Sequence, residues 1–180
     1  FAPLNYGVAE EKAILKAKEL IKLVGLDESY LDKSPFELSG GEMRKVALCG
    51  ILALEPKVLI LDEPTVALDY QSREEIMAMV KRLKEEFDMT IVLVTHNMDY
   101  VLEYADKVFV LKNGEISFEG KVEDLFLNEQ VLKENSLELP EVLKFYKKLE
   151  ANNIVLDVFP RKYEELMDAL KNKIGSSRNE

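Results

Sequence analysis

Between Ala9 and Val24 the apolar residues Ala13, Ala17, Leu20, Ile21 and Val24 fall on one side of a helical repeat, and Gly25 follows where a helix would stop. This predicts an amphipathic helix of about four turns. Turn formers from Asp27 to Phe36, with Ser34-Pro35 near the end, separate it from a second helix expected from Gly40-Gly41 to around Leu54, which Glu55-Pro56 closes. The pattern then changes period. Val58 to Leu61 is a short, continuous apolar run, as in a parallel strand covered on both faces, and Ile91 to Val94 repeats it. Between them Ile76, Met77, Val80, Leu83 and Phe87 lie at helical spacing within Gln71 to Phe87, so strand, helix and strand make a right-handed crossover unit. The fold class is α/β. Val108 to Leu111 and Glu115 to Phe118 flank Asn113-Gly114, which predicts a tight hairpin added antiparallel to that sheet. Beyond Leu125 a separate segment is expected, with helices over Pro140 to Leu149 and Tyr163 to Lys171, a candidate strand at Ile154 to Val158, and a frayed end from Gly175 to Glu180.

Composition narrows the class. The 180 residues, 47% apolar and 32% charged, describe one ordinary soluble domain or one domain with a small appendage. A single cysteine, Cys49, excludes an internal disulfide, and its apolar surroundings predict a buried, reduced thiol. The longest apolar stretch, Val46 to Leu54, is far shorter than the roughly 20 residues of a membrane crossing, and no signal-peptide pattern opens the chain. A cytoplasmic location is expected unless a partner recruits the protein. The net charge of −10 weighs against a polyphosphate partner, so no nucleic acid is expected.

Four short stretches carry candidate chemistry. Ser39-Gly40-Gly41-Glu42 stands where a loop becomes a helix; N–H groups there lack intrahelical partners, and with the helix dipole they can receive an anion. Two glycines let backbone approach a phosphate closely. The same S-x-x-E spacing also fits a plain capping box. Asp62-Glu63 ends the first strand, at the edge where open parallel sheets bind ligands. An aspartate there suits magnesium held through its water shell, since that ion gives up water reluctantly. Glu63 can reach a different water, one that attacks a terminal phosphate. A solvated turn after a strand is the plainer alternative. Thr95-His96 ends the second strand, so His96, the only histidine, either orients that water beside a phosphate or is a satisfied structural side chain. Asp69, in Ala67-Leu68-Asp69, also suits the cap of the following helix.

In order and spacing these elements resemble the ATP-binding cassette (ABC) family. Leu38 to Glu42 resembles its signature motif, Val58 to Glu63 its Walker B strand, Val66 to Asp69 its D-loop and His96 its switch histidine. The resemblance runs from Phe1 to Gly120 and implies a partial nucleotide-binding domain: a parallel sheet core with a helical signature subdomain, plus a small carboxyl-terminal α/β extension. The implied division is residues 1–56 for the helical part with the signature, 57–125 for the core with Walker B, D-loop and switch histidine, and 126–180 for the extension. Its implied cofactors are ATP and magnesium. Ser39 and Gly41 would contact the terminal phosphate of ATP held by another subunit, with Gly40 and Glu42 in the same motif. Asp62 would hold magnesium through water, Glu63 would polarise the lytic water, His96 would sense the phosphate, and Asp69 would communicate across a dimer interface. Glu42 stands where many members carry Gln, and Tyr70 where many carry Pro.

A finer resemblance is to the ATPase subunits of energy-coupling factor transporters and related cobalt or nickel importers. Phe1 to Gly7 is similar to the segment that follows their glutamine loop, and Val46-Ala47 with Ile51 to Pro56 to their signature helix. Leu139-Pro140 and Glu164-Glu165-Leu166 resemble their carboxyl-terminal extension. This implies a second ABC subunit paired head to tail, alike or different, and a transmembrane subunit that holds the protein at the inner face of the membrane. No glycine here opens a G-x-x-x-x-G-K-[ST] phosphate loop, so the resemblance implies a chain that begins partway through a cassette and hydrolyses nothing productively alone. Two other readings stay open. One is the signature half of a DNA-repair or chromosome-maintenance ATPase, which a late start would suit but which the absence of sustained heptads weakens. The other is a non-hydrolysing half-module that completes a partner's ATP site.

Overall fold

The computed structural model describes residues 2–5 and 7–176, so Phe1 and Tyr6 of the segment compared above with importers, and 177–180 of the predicted frayed end, lie outside the described residues. The chain divides into two compact units, Phe1–Val94 and Thr95–Glu180.

The first unit begins with α1 (Ala2–Asn5) and α2 (Glu10–Leu23), followed by short 3-10 turns at Glu28–Asp32 and Pro35–Glu37. Then come α3 (Gly40–Leu52), β1 (Val58–Asp62), α4 (Tyr70–Phe87) and β2 (Thr90–Val94). The strands pair in parallel, with Val58 opposite Thr90 and Asp62 opposite Val94, which confirms the predicted strand–helix–strand unit. Asp88, in the left-handed region with φ 49°, ends α4 and turns the chain back toward β2. Leu20, Ile21, Leu48, Leu52, Leu59, Ile76, Met79 and Leu83 form one core, which locks α2, α3 and α4 to β1. Two-sided burial of the strands is not observed. Leu59 is 2% exposed, whereas Val58 and Ile60 on the other face are 52% and 66% exposed. A continuous apolar run encodes burial on both faces, but the helices of this unit cover only one.

The second unit contains α5 (Met98–Tyr104), β3 (Lys107–Lys112), β4 (Glu115–Lys121), α6 (Val122–Leu127), α7 (Glu129–Glu134), α8 (Glu141–Ala151) and α9 (Tyr163–Ser176). Asn113 and Gly114 both take positive φ, 53° and 82°, as a two-residue hairpin turn requires. The hairpin forms a two-stranded sheet of its own instead of extending the parallel pair. No strand forms at Ile154 to Val158. Asn153 turns the chain with φ 63°, and only Leu156 of that run is buried, so the segment lacks the alternating burial of a strand. Val101, Leu102, Val110, Val122, Leu125 and Phe126 share their core with Leu132, Leu143, Tyr146 and Leu166. Arg161 reinforces it, donating to the Ala105 carbonyl at 3.0 Å and to Glu123 at 2.6 Å. Four described helices escaped the sequence reading: α1 in the first unit has four residues, and α5, α6 and α7 have seven, six and six, too few for a periodic apolar signal.

Candidate functional site

Ser39 is the N-cap of α3, with extended φ and ψ of −63° and 163°. Its Oγ accepts from the Glu42 N–H at 3.3 Å, and the Glu42 carboxylate accepts from the Ser39 N–H at 2.8 Å. The capping box is therefore real. Capping does not exclude anion binding, because a helix start has four N–H groups without intrahelical partners and the box engages one of them together with the N-cap's own. Ser39 and Gly40 are exposed, while Gly41 is buried. A Cβ on Gly41 would lie 3.0 Å from Ser72 Oγ, so absence of a side chain there lets α3 approach the start of α4.

Ser72 connects this corner to Asp69. Asp69 caps α4, accepting from the Ser72 N–H at 2.9 Å and from Ser72 Oγ at 2.8 Å. These bonds hold its carboxyl below the usual carboxylate range. Leu68, buried beside it, would lie 3.9 Å from a Cβ on Gly40. The fold thus brings Ser39-Gly40-Gly41-Glu42 and Asp69 to one corner of the first unit.

Glu42 is tied a third way. Tyr30 donates from its hydroxyl to Glu42 Oε1 at 2.6 Å, and Lys33 lies over the Tyr30 ring, 3.5 Å from its centroid. The tyrosine hydrogen bond first, and the Ser39 bonds second, lower the Glu42 carboxyl from 4.5 to about 2. A depressed folded-state value gives stability that is present above the unfolded value and lost as pH falls through about 2. Carboxyl carbon shifts followed against pH are expected to give Glu42 a midpoint near 2, and Tyr30→Phe is expected to move it upward. A midpoint in the ordinary glutamate range in the unsubstituted protein would refute the arrangement.

Asp62 ends β1 and is exposed, and Glu63 follows half-buried. Glu63 has φ 44°, a left-handed conformation uncommon for a side chain of this size. Its N–H donates to the Val94 carbonyl at 2.9 Å. Pro64 and buried Thr65 then lead to Ala67, which also has positive φ, 61°. Among the described residues no group of three or more His, Cys, Asp or Glu is assembled to cage a metal. A lone exposed carboxylate at a strand end fits magnesium, which keeps most of its water and takes further ligands from phosphates.

His96 belongs to the second unit, where it is exposed just before α5. Beside it the Asn97 N–H donates to Thr95 Oγ1 at 3.1 Å, and Asn97 caps α5 through bonds to the Asp99 and Tyr100 N–H groups. Cys49 is partly buried, donates to the Leu20 carbonyl at 3.4 Å, and is pushed up to about 11 by burial, in keeping with an inert structural thiol.

The ABC transporter family model matches residues 5–66, which take in Ser39 to Glu42 and Asp62-Glu63. The energy-coupling factor transporter ATP-binding protein EcfA2 of Enterococcus faecalis is 49% identical over 174 residues, 97% of this chain and 60% of that protein. The chain resembles ATP-binding cassette proteins through nearly all of its length. The EcfA2 protein of Bacillus subtilis is also 49% identical, over 84% of this chain and 55% of its own length. Among solved cassettes, cbiO1 of Clostridium perfringens, part of the ABC transporter complex cbiONQ, is 35% identical with a TM-score of 0.61, covering 78% of this chain and 55% of that one. A dimeric cassette in a post-hydrolysis state, bound to ADP and phosphate, is 35% identical with a TM-score of 0.56, over 64% of this chain and 49% of that one. The chain spans about 60% of the length of its Enterococcus relative. Asp69 and His96 lie beyond the family match but within the stretch shared with that relative.

The sequence reading missed Tyr30 and Ser72, and also Arg44, which donates to the Pro64 carbonyl, and Lys45 and Glu75, which pair at 2.5 Å. Ser72 alone carried a local signal, standing three residues after Asp69 as a capped donor should. The others meet partners far along the chain.

Proposed function

We propose that this chain is the signature-bearing part of an ATP-binding and hydrolysing subunit that energises a membrane transporter of the energy-coupling factor type. The observation that carries this reading is 49% identity to an EcfA2 protein through 97% of the chain, with the cassette motifs at a helix start and a strand end. In it, Ser39, Gly40 and Gly41 receive the terminal phosphate of ATP held by a second cassette subunit paired head to tail. Glu42 and its capping box keep that helix start in shape. Asp62 holds magnesium through water; when bound, the ion neutralises phosphate charge. Glu63 orients and polarises the lytic water, His96 senses the phosphate, and Asp69 carries the D-loop contact between subunits. Residues 1–56 act as the signature part, 57–125 as the hydrolytic part and 126–180 as the extension.

Among the described residues no helix is long and apolar enough to cross a membrane. In this reading a transmembrane subunit holds the protein at the cytoplasmic face, and the cargo class is a vitamin or metal ion. The test is co-expression of the complete ATPase with the second cassette and the membrane subunit. Co-purification as one complex with magnesium-dependent ATP hydrolysis is expected. A complete protein that neither hydrolyses ATP nor associates with a membrane subunit, or whose coding sequence places hundreds of heptad residues before the signature, would remove the transporter reading.

A further inference from the structure

The acidic turn after β1 is held in an unfavourable backbone shape by groups drawn from elsewhere in the first unit. Positive φ at Glu63 and again at Ala67 persists only where surrounding structure over-determines it. The Val94 carbonyl takes the Glu63 N–H at 2.9 Å. Arg73, on α4, donates from Nε to the Leu68 carbonyl at 2.8 Å. Arg44, on α3, donates from Nη1 to the carbonyl of Pro64, the residue next to Glu63. Two guanidinium groups therefore grip the turn, one near each end.

The base from which Arg44 reaches is itself fixed. Its neighbour Lys45 is buried at 9% exposure and pairs with Glu75 of α4 at 2.5 Å. One turn earlier, Gly41 sits against Ser72. A helix pinned at both points offers Arg44 little freedom to follow a displaced turn.

We infer that Arg44 is a positioning residue for hydrolysis: by gripping the Pro64 carbonyl it fixes the backbone from which the Glu63 carboxylate projects, so the signature helix sets the reach of that carboxylate. The inference rests on the reading of this chain as part of an ATPase. In a head-to-tail pair α3 faces the nucleotide of the partner, while Glu63 acts at the nucleotide of its own chain. One hydrogen bond then links the two sites through a single polypeptide.

The test uses the complete ATPase in complex with its second cassette and membrane subunit, with steady-state magnesium-ATP hydrolysis as the readout. Arg44→Ala is expected to lower kcat on the order of ten- to a hundredfold, the scale of losses from misplaced catalytic groups. KM is expected to change by less than about threefold, because the lost interaction does not bind substrate. Arg44→Lys, which still offers one donor to one carbonyl, is expected to recover most of the loss. On a Glu63→Gln background, Arg44→Ala is expected to lower the residual rate no further, since its effect passes through the absent carboxylate. Multiplying losses in that double variant would overturn the inference. So would an equal fall in kcat from Glu75→Gln, which loosens the helix pair without touching the turn. If instead the unsubstituted complex does not hydrolyse ATP, the ATPase reading fails; if it hydrolyses ATP but ignores Glu63→Gln, the role given to Glu63 fails; the inference falls with either.

Discussion

Glu63→Gln in the complete ATPase is expected to reduce ATP turnover by on the order of 10²–10⁴, the loss typical of a removed catalytic base. Glutamine keeps the length and shape of the side chain and lacks only the charge that polarises water. The backbone that aims it is unaffected, because the turn is held by main-chain and arginine contacts: Glu63 N–H to the Val94 carbonyl, Arg44 to the Pro64 carbonyl and Arg73 to the Leu68 carbonyl. Nucleotide affinity should therefore survive. An interaction made only in the transition state lowers kcat and kcat/KM together, whereas a folding defect lowers the active fraction. Phosphate release measured beside nucleotide binding separates these outcomes. Turnover in the unsubstituted range would take Glu63 out of the hydrolytic role.

The second large effect concerns the 180-residue chain expressed alone, which is expected to show no ATPase activity above background. The start of α3 and the acidic turn after β1 are formed within the first unit, yet no glycine in the chain opens a phosphate loop with a lysine. In nucleotide-hydrolysing folds of this type that loop cradles the β- and γ-phosphates with backbone donors and one cationic side chain. Removing a single oriented donor from an active site costs on the order of 10²–10³ in rate, so lacking the whole cradle should exceed that. Phosphate release from the purified chain, with circular dichroism to establish that it is folded, is the measurement. A rate near that of the complete protein would mean that these residues hold nucleotide by some other means.

Much of the fold was written in local patterns. The helical repeat ending at Val24 appears as α2, Glu10–Leu23, and Asn113-Gly114 turns the hairpin as its composition requires. The S-x-x-E spacing fits a capping box, and Ser39 and Glu42 exchange its two bonds. Patterns misled where they record a requirement without saying what meets it. Val58 and Ile60 are apolar as though covered, yet exposed here. Ile154 to Val158 has the composition of a strand but no neighbour to pair with.

The sequence by itself determined which residue types stand at the start of α3, the end of β1 and the cap of α4, because caps, turns and strand termini are set by neighbours within about four residues. Only tertiary structure decided how those pieces are held. Arg44 finds Pro64, Lys45 finds Glu75, Gly41 finds Ser72 and Tyr30 finds Glu42, all between elements separated along the chain. Such partnerships depend on helices docked over a shared core, and one-dimensional spacing does not encode which faces meet.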